Sequence, residues 1–203
     1  MIKARILLFI FSITVLVGTI SAGPVLYAEK AATAATAKPT ATSKPKPKVT
    51  YVLHSPVKNR KIISVFSKNR NGRPHKGTDY KSKSGCLNVY NFYKGTLACK
   101  GYERTMGNYV VIKHNVGGKI IYSTYMHLKS SKPISGYIKT GQIIGTMGNT
   151  GHSFGVHLHF QIGNSVPRLG SKVTFYNGDK MIANGFTFYN SERILTTKFG
   201  ILK

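Results

Sequence analysis

The chain has 203 residues, enough for one domain with a full core plus appendages. Hydrophobic residues make up 41% and charged residues 17%, so most of the chain has the composition of a folded protein. Against 30 Lys plus Arg stand 5 Asp plus Glu, a formal charge of +25 that steers the protein toward polyanions. Charge alone leaves nucleic acid, anionic lipid and anionic wall polymers open.

The N-terminus narrows the choice. Lys3 and Arg5 precede an apolar run over residues 6–20 (ILLFIFSITVLVGTI), and small residues follow, with Ala22 and Ala28 as cleavage positions. Residues 1–28 therefore read as a secretory signal peptide. The alternative is an uncleaved anchor, since extension to Tyr27 reaches bilayer length. Either way the remainder lies outside the cytoplasm, which argues against a nucleic-acid role and confines membrane contact to that segment. Cleavage removes only Lys3 and Arg5, so the mature chain stays strongly cationic. Residues 29–50 are rich in Ala, Thr, Pro and Lys, with no large apolar residue before Val49. They read as an extended linker.

From Tyr51 onward the texture changes to short β-rich runs punctuated by glycine. Residues 108–114 (NYVVIKH), the turn Asn115-Val116-Gly117-Gly118 and residues 119–128 (KIIYSTYMHL) predict a hairpin. Residues 87–92 and 96–99 flank a turn at Gly95, residues 137–147 contain another strand, and residues 156–162 (VHLHFQI) follow a Gly-rich loop. No helical period shows beyond the leader. The expectation is an all-β domain of antiparallel sheets over residues 51–170. Asn177-Gly178 and Asn184-Gly185 then predict a three-strand meander, a C-terminal β extension of the core sheet over residues 171–203. A small wall-contacting appendage is the alternative. Cys86 and Cys99, the only cysteines of an exported chain, predict a disulfide.

Two groups of residues have metal-ligand spacing. One is His75-x-x-x-Asp79; the other is His157-Leu158-His159, whose imidazoles share a strand face while Leu158 and Phe160 pack behind. Imidazole and carboxylate are ligand types that zinc accepts. Asp79 is one of only 5 acidic residues, and His127, in Tyr125-Met-His-Leu128 at a strand end, is a third place from which an imidazole could converge. Spacing alone does not separate ligand from base.

The ordered set His75-x-x-x-Asp79, Met106-Gly-Asn108 with Val110-Val-Ile-x-His114, Tyr125-Met-His-Leu128, Gly141-Gln-Ile-Ile-Gly145, Gly148-x-Thr-Gly-x-Ser-x-Gly155 and His157-Leu-His-Phe160 resembles the lysostaphin-type, LytM-like zinc metallopeptidases. The resemblance covers roughly residues 64–163. It implies an antiparallel β domain, duplicated-hybrid-motif-like, whose groove holds one catalytic zinc, and cleavage of peptide bonds in bacterial peptidoglycan. By that resemblance His75, Asp79 and His159 are the zinc ligands, and His127 and His157 are catalytic imidazoles beside the open coordination position. His54 reads as a surface residue, His114 as structural and His152 as part of the loop before the active strand.

Two departures bear on the bond cut. Some glycyl-glycine-cleaving members carry Tyr six residues before the first ligand, where this chain has Asn69, and Asn after the histidine, where it has Leu128. The resemblance therefore points to a secreted, wall-associated, monomeric endopeptidase of direct stem-peptide cross-links (D,D-type), with peptidoglycan and anionic wall polymers as partners. The alternatives are a glycyl-glycine cross-bridge endopeptidase and an inactive wall-binding or regulatory member of the same fold.

Overall fold

A computed structural model describes residues 49–202 except 71–72 and 168–171. The expected leader and nearly all of the expected linker lie outside the described residues. Residues 47–203 form one compact unit.

β-branched and aromatic runs broken by glycine give fourteen strands among the described residues. They are β1 (Arg60–Ser64), β2 (Ser67–Arg70), β3 (Arg73–His75), β4 (Thr78–Ser82), β5 (Asn88–Tyr90), β6 (Gly95–Glu103), β7 (Gly107–Val116), β8 (Lys119–Ser131), β9 (Tyr137–Ile138), β10 (Ile143–Met147), β11 (Leu158–Gly163), β12 (Val173–Tyr176), β13 (Lys180–Ala183) and β14 (Phe186–Tyr189). Helix α1 (Ser191–Thr197) and a 3₁₀ turn (Gly200–Leu202) close the chain. All the strand pairings are antiparallel, in keeping with the all-β expectation. β2 and β3 form a separate pair; the other strands make one 12-stranded sheet whose main path runs β12-β13-β14-β11-β8-β7-β6-β9.

The long strand β8 organises this sheet. It pairs along its length with β7 through the Val116–Lys119 hairpin, and on its other side it forks. Residues 122–126 pair with β11, whereas residues 128–131 pair with β10. The Gly-rich loop from Gly148 to His157 fills the fork, closed by a bridge between those two residues.

Period-2 alternation sorts the side chains. Tyr80 of β4, Leu158 and Phe160 of β11 and Tyr125 of β8 are all 0% exposed and form the core beneath the site. Phe160 packs 5.1 Å from the Tyr125 ring and 5.5 Å from Phe92, centroid to centroid. Tyr125 buries its hydroxyl without stranding it, accepting from Phe92 N at 3.0 Å and donating to Asn91 Oδ1 at 3.2 Å. Truncating Phe160 to Ala would cost about 3–5 kcal/mol at such a position.

The meander β12–β14 continues the sheet, with β14 on β11 through Ile162↔Tyr189 and Gly163↔Phe188. Lys61 and Lys81 stand directly opposite each other in the β1–β4 pair, both exposed.

Several expectations change. The strand sought in residues 137–147 is two strands, β9 on β6 and β10 on β5 and β8, separated by residues 139–142. Gly95 does not join paired strands, because β5 takes β10 and β6 takes β7 and β9. The expected disulfide is absent: Cys86 and Cys99 are both free thiols. Cys99 faces Val111 across β6–β7, while Cys86 precedes β5 with its sulfur 3.7 Å from Tyr90 OH. Helix α1 was not expected; Asn190 caps it, accepting from Arg193 N.

Candidate metal centre

His75 ends β3, and the turn Lys76-Gly77 carries the chain into β4, so His75 and Asp79 reach the site from two strands. His159 stands opposite Asp79 in the β4–β11 pair, which puts both side chains on one face. Asp79 Oδ1 lies 2.9 Å from His159 Nδ1 and 3.1 Å from His75 Nε2, and those two nitrogens are 3.1 Å apart. His75 and Asp79 are buried, and His159 is half-buried.

This triangle fits a metal ion. His75 Nδ1 donates to the Val65 carbonyl at 2.7 Å, so its proton is there and Nε2 turns a lone pair to the cluster. Donor atoms around a tetrahedral zinc, with bonds of about 2.0–2.1 Å, stand about 3.3 Å apart. The measured edges of 2.9–3.1 Å are close to that size. Burial alone would raise the Asp79 pKa, but hydrogen bonds and charge from His159 and His75 outweigh it and hold the carboxyl well below the usual carboxylate range. Burial lowers the pKa of His159, opposed in part by Asp79. The set thus joins an anionic carboxylate to the His159 imidazole, which burial inclines to stay neutral, and to the lone pair that His75 turns inward, as cation binding requires.

His127 arrives by a different device. It lies inside β8, at the fork, rather than at the strand end. Asn108 pairs with Leu128 and Val110 with Tyr125, so Met126 and His127 together oppose the single residue Tyr109, a β-bulge. Met126 pairs with His159 and lies on the metal face; an unbroken strand would send the next residue to the opposite face. The bulge, with His127 at φ 61°, instead brings its ring centroid within 4.8 Å of His157 and 6.1 Å of His159. Its Nδ1 donates to the Thr150 carbonyl at 2.9 Å. Burial, then the neighbouring His159, push the His127 pKa down to about 4, so its Nε2 offers a lone pair at neutral pH.

His157, at the mouth of β11, is oriented in the same manner. Its Nδ1 donates to the Gly155 carbonyl at 2.8 Å, and its Nε2 is 3.8 Å from Asp79 Oδ1. All five site residues expected from the sequence therefore converge.

The supporting groups were missed. Three backbone carbonyls, of Val65, Thr150 and Gly155, set the three tautomers and leave no side-chain signature in a sequence. Thr150 is itself fixed: its hydroxyl donates to Leu128 O at 2.8 Å and accepts from Asn108 N at 2.9 Å. Gly107, at φ +65°, leaves room for it, since a Cβ there would come within 2.3 Å of Thr150 Oγ1. Glu103 caps Thr105 N and Met106 N at 2.8 and 2.9 Å, and the Met106 carbonyl accepts from His127 N at 2.8 Å. The Met106-Gly-Asn108 motif thereby acts through the bulge.

Among the remaining histidines, His54 is exposed against Tyr90, and His114 is buried with Nδ1 3.0 Å from Lys94 O and Nε2 2.8 Å from Ser123 Oγ. His152 is exposed and lines a cavity of about 390 Å³ with Tyr102, Arg104, Thr105 and Gly151. Leu128 is 0% exposed in the core, so its side chain does not line a substrate groove.

Residues 73–172, which include all five convergent residues, match the sequence profile of peptidase family M23. The chain carries an M23 peptidase domain. It is 33% identical over 116 residues to the peptidoglycan DD-endopeptidase ShyC of Vibrio cholerae, covering 54% of this chain and 26% of that one. Against lysostaphin of Staphylococcus simulans it is 37% identical over 93 residues, covering 45% of this chain and 18% of that one. The crystallised catalytic domain of lysostaphin superposes with a TM-score of 0.46 at 30% identity, over 54% of this chain and 84% of that domain. The M23 chain spans about a quarter or less of the length of these curated relatives.

Proposed function

We propose that this protein is an exported zinc endopeptidase that hydrolyses peptide bonds of bacterial peptidoglycan, with direct D,D stem cross-links as its preferred substrate. The observation that carries the reading is the His75–Asp79–His159 triangle, with two further imidazoles, His127 and His157, each fixed by a carbonyl on Nδ1. M23 relatives named for peptidoglycan DD-endopeptidase activity support the substrate class.

His75, Asp79 and His159 would hold the ion, with the His75 and His159 nitrogens that face Asp79 as donors. A zinc bound there by three protein groups would supply Lewis acidity and lower the pKa of a water toward neutrality. His127, kept neutral by burial, accepts a proton at Nε2 and returns it to the leaving amine. His157 Nε2, beside Asp79, orients or shares that proton. The cationic surface retains the monomeric protein on anionic wall polymers at the cell exterior.

Preference for stem cross-links rests on the Asn69 and Leu128 departures and on the ShyC likeness. Because Leu128 is buried, its influence would pass through the backbone around His127 and not through substrate contact. Purified walls with direct cross-links and walls bridged by pentaglycine, digested by the zinc-loaded protein and read by mass spectrometry, decide the bond. Cleaved stem dimers from the first support the proposal. New glycine termini from the second alone would make the protein a glycyl-glycine endopeptidase, and no product from either would make it a wall-binding member.

A further inference from the structure

The C-terminal helix lies beyond the segment matched to M23, yet it grips the strands that carry two of the proposed ligands. On β4 the residues flanking Asp79, Thr78 and Tyr80, turn into the core at 1% and 0% exposure. Ser191 of α1, also 0% exposed, sets its hydroxyl 2.8 Å from Thr78 Oγ1 and 3.4 Å from the carbonyl of Phe160, the residue after His159. Tyr80 OH donates to Glu192 Oε1 at 2.5 Å. Arg60 of β1 holds the same carboxylate through Nε at 3.0 Å and Nη2 at 3.3 Å. Asn190 fixes the start of the helix, and Ile194 anchors it at 0% exposure.

Apolar packing by Ile194 would suffice to hold a short helix against the sheet. Hydrogen bonds add direction, and here they fall on both neighbours of Asp79 and beside His159, buried at Thr78 and Phe160 and partly buried at Tyr80. Glu192 is moreover one of 5 acidic residues in a chain of formal charge +25.

We infer that Ser191 and Glu192 are positioning residues for the metal centre. They clamp β4 and β11 from behind, fixing the face on which Asp79 and His159 present their donor atoms. This rests on the reading of His75, Asp79 and His159 as metal ligands.

The test compares the full mature chain with Ser191→Ala, Tyr80→Phe and their combination, which delete hydroxyl groups with little change in volume. Zinc affinity is read by chelator competition, ligand geometry by the visible absorption of the cobalt-substituted protein, and turnover as separate kcat and KM. The combined variant should bind zinc about 10-fold more weakly, shift the cobalt bands and lose kcat at unchanged KM. Ile194→Ala, which removes packing from the same helix without touching these bonds, should lose thermal stability and keep zinc affinity. Wild-type affinity and bands in the combined variant, or an equal loss in Ile194→Ala, would overturn the clamp. Asp79→Ala distinguishes the two readings: zinc retained there overturns the ligand set and the clamp with it, while zinc lost only there overturns the clamp alone.

Discussion

Gly77 and His159 touch so closely that a Cβ on Gly77 would stand 2.7 Å from His159 Nε2 and 2.5 Å from the Phe160 carbonyl oxygen. The glycine is there for space, since the turn between His75 and Asp79 passes against the Nε2 edge of the His159 ring, the edge that faces away from Asp79. Gly77→Ala should therefore displace His159 or β11, weakening zinc binding about 10-fold and costing about 1–3 kcal/mol of stability. Metal analysis and urea unfolding check both. Normal zinc affinity in this variant would mean that the ring yields without consequence.

His127 and His157 should separate chemistry from metal binding. Each replaced by Ala should lose on the order of 100-fold or more in rate, as removal of a general acid–base group does, with zinc content near wild type. Substitution of Thr150 by Ala keeps its carbonyl but removes the hydroxyl that fixes it to Leu128 and Asn108, so a smaller loss is expected. Full turnover in both histidine variants would reduce these residues to scaffolding.

His114 predicts acid sensitivity remote from the site. Burial pushes its pKa down to about 4 from the ordinary 6.5. Between those values the unfolded chain takes a proton that the folded chain refuses, so stability is full above about pH 6.5 and falls until about pH 4. The contribution at stake is on the order of 3 kcal/mol. Urea midpoints at pH 7.5 and 4.5 should differ less in His114→Gln than in the wild type; equal pH slopes would remove His114 as the source.

A thiol count under denaturing, non-reducing conditions should give two, for Cys86 and Cys99. A count of zero would restore the pairing expected of the only two cysteines in a chain read as exported.

Local signals carried much of this structure. His157 and His159 are two apart, which in a strand forces them to one face, and Asn177-Gly178 and Asn184-Gly185 mark the turns of a meander that β14 joins to β11. What escaped depends on partners distant in the chain. β5 pairs with β10 more than fifty positions later, so the Gly95 turn misled. The His127 bulge runs against the period-2 pattern and is defined only by its register with β7. Helix α1 has 7 residues, too few to display a period, and only its Asn190 cap announces it.

The facing lysines Lys61 and Lys81 make the fold's durability depend on its surroundings. Like charges set opposite one another across a strand pair destabilise it, and a formal +25 extends that repulsion over the whole molecule. Counter-ions relieve the strain, so the melting temperature should climb as salt is added. Over the same range, past about 0.15 M, sedimentation with purified walls should decline as screening loosens the hold on anionic polymers. On the proposed wall attachment, salt should toughen the dissolved protein while detaching it, and a polyanion that binds only the native state should toughen it by attaching. Set loose in dilute fluid, the molecule has neither protection and is at its most perishable.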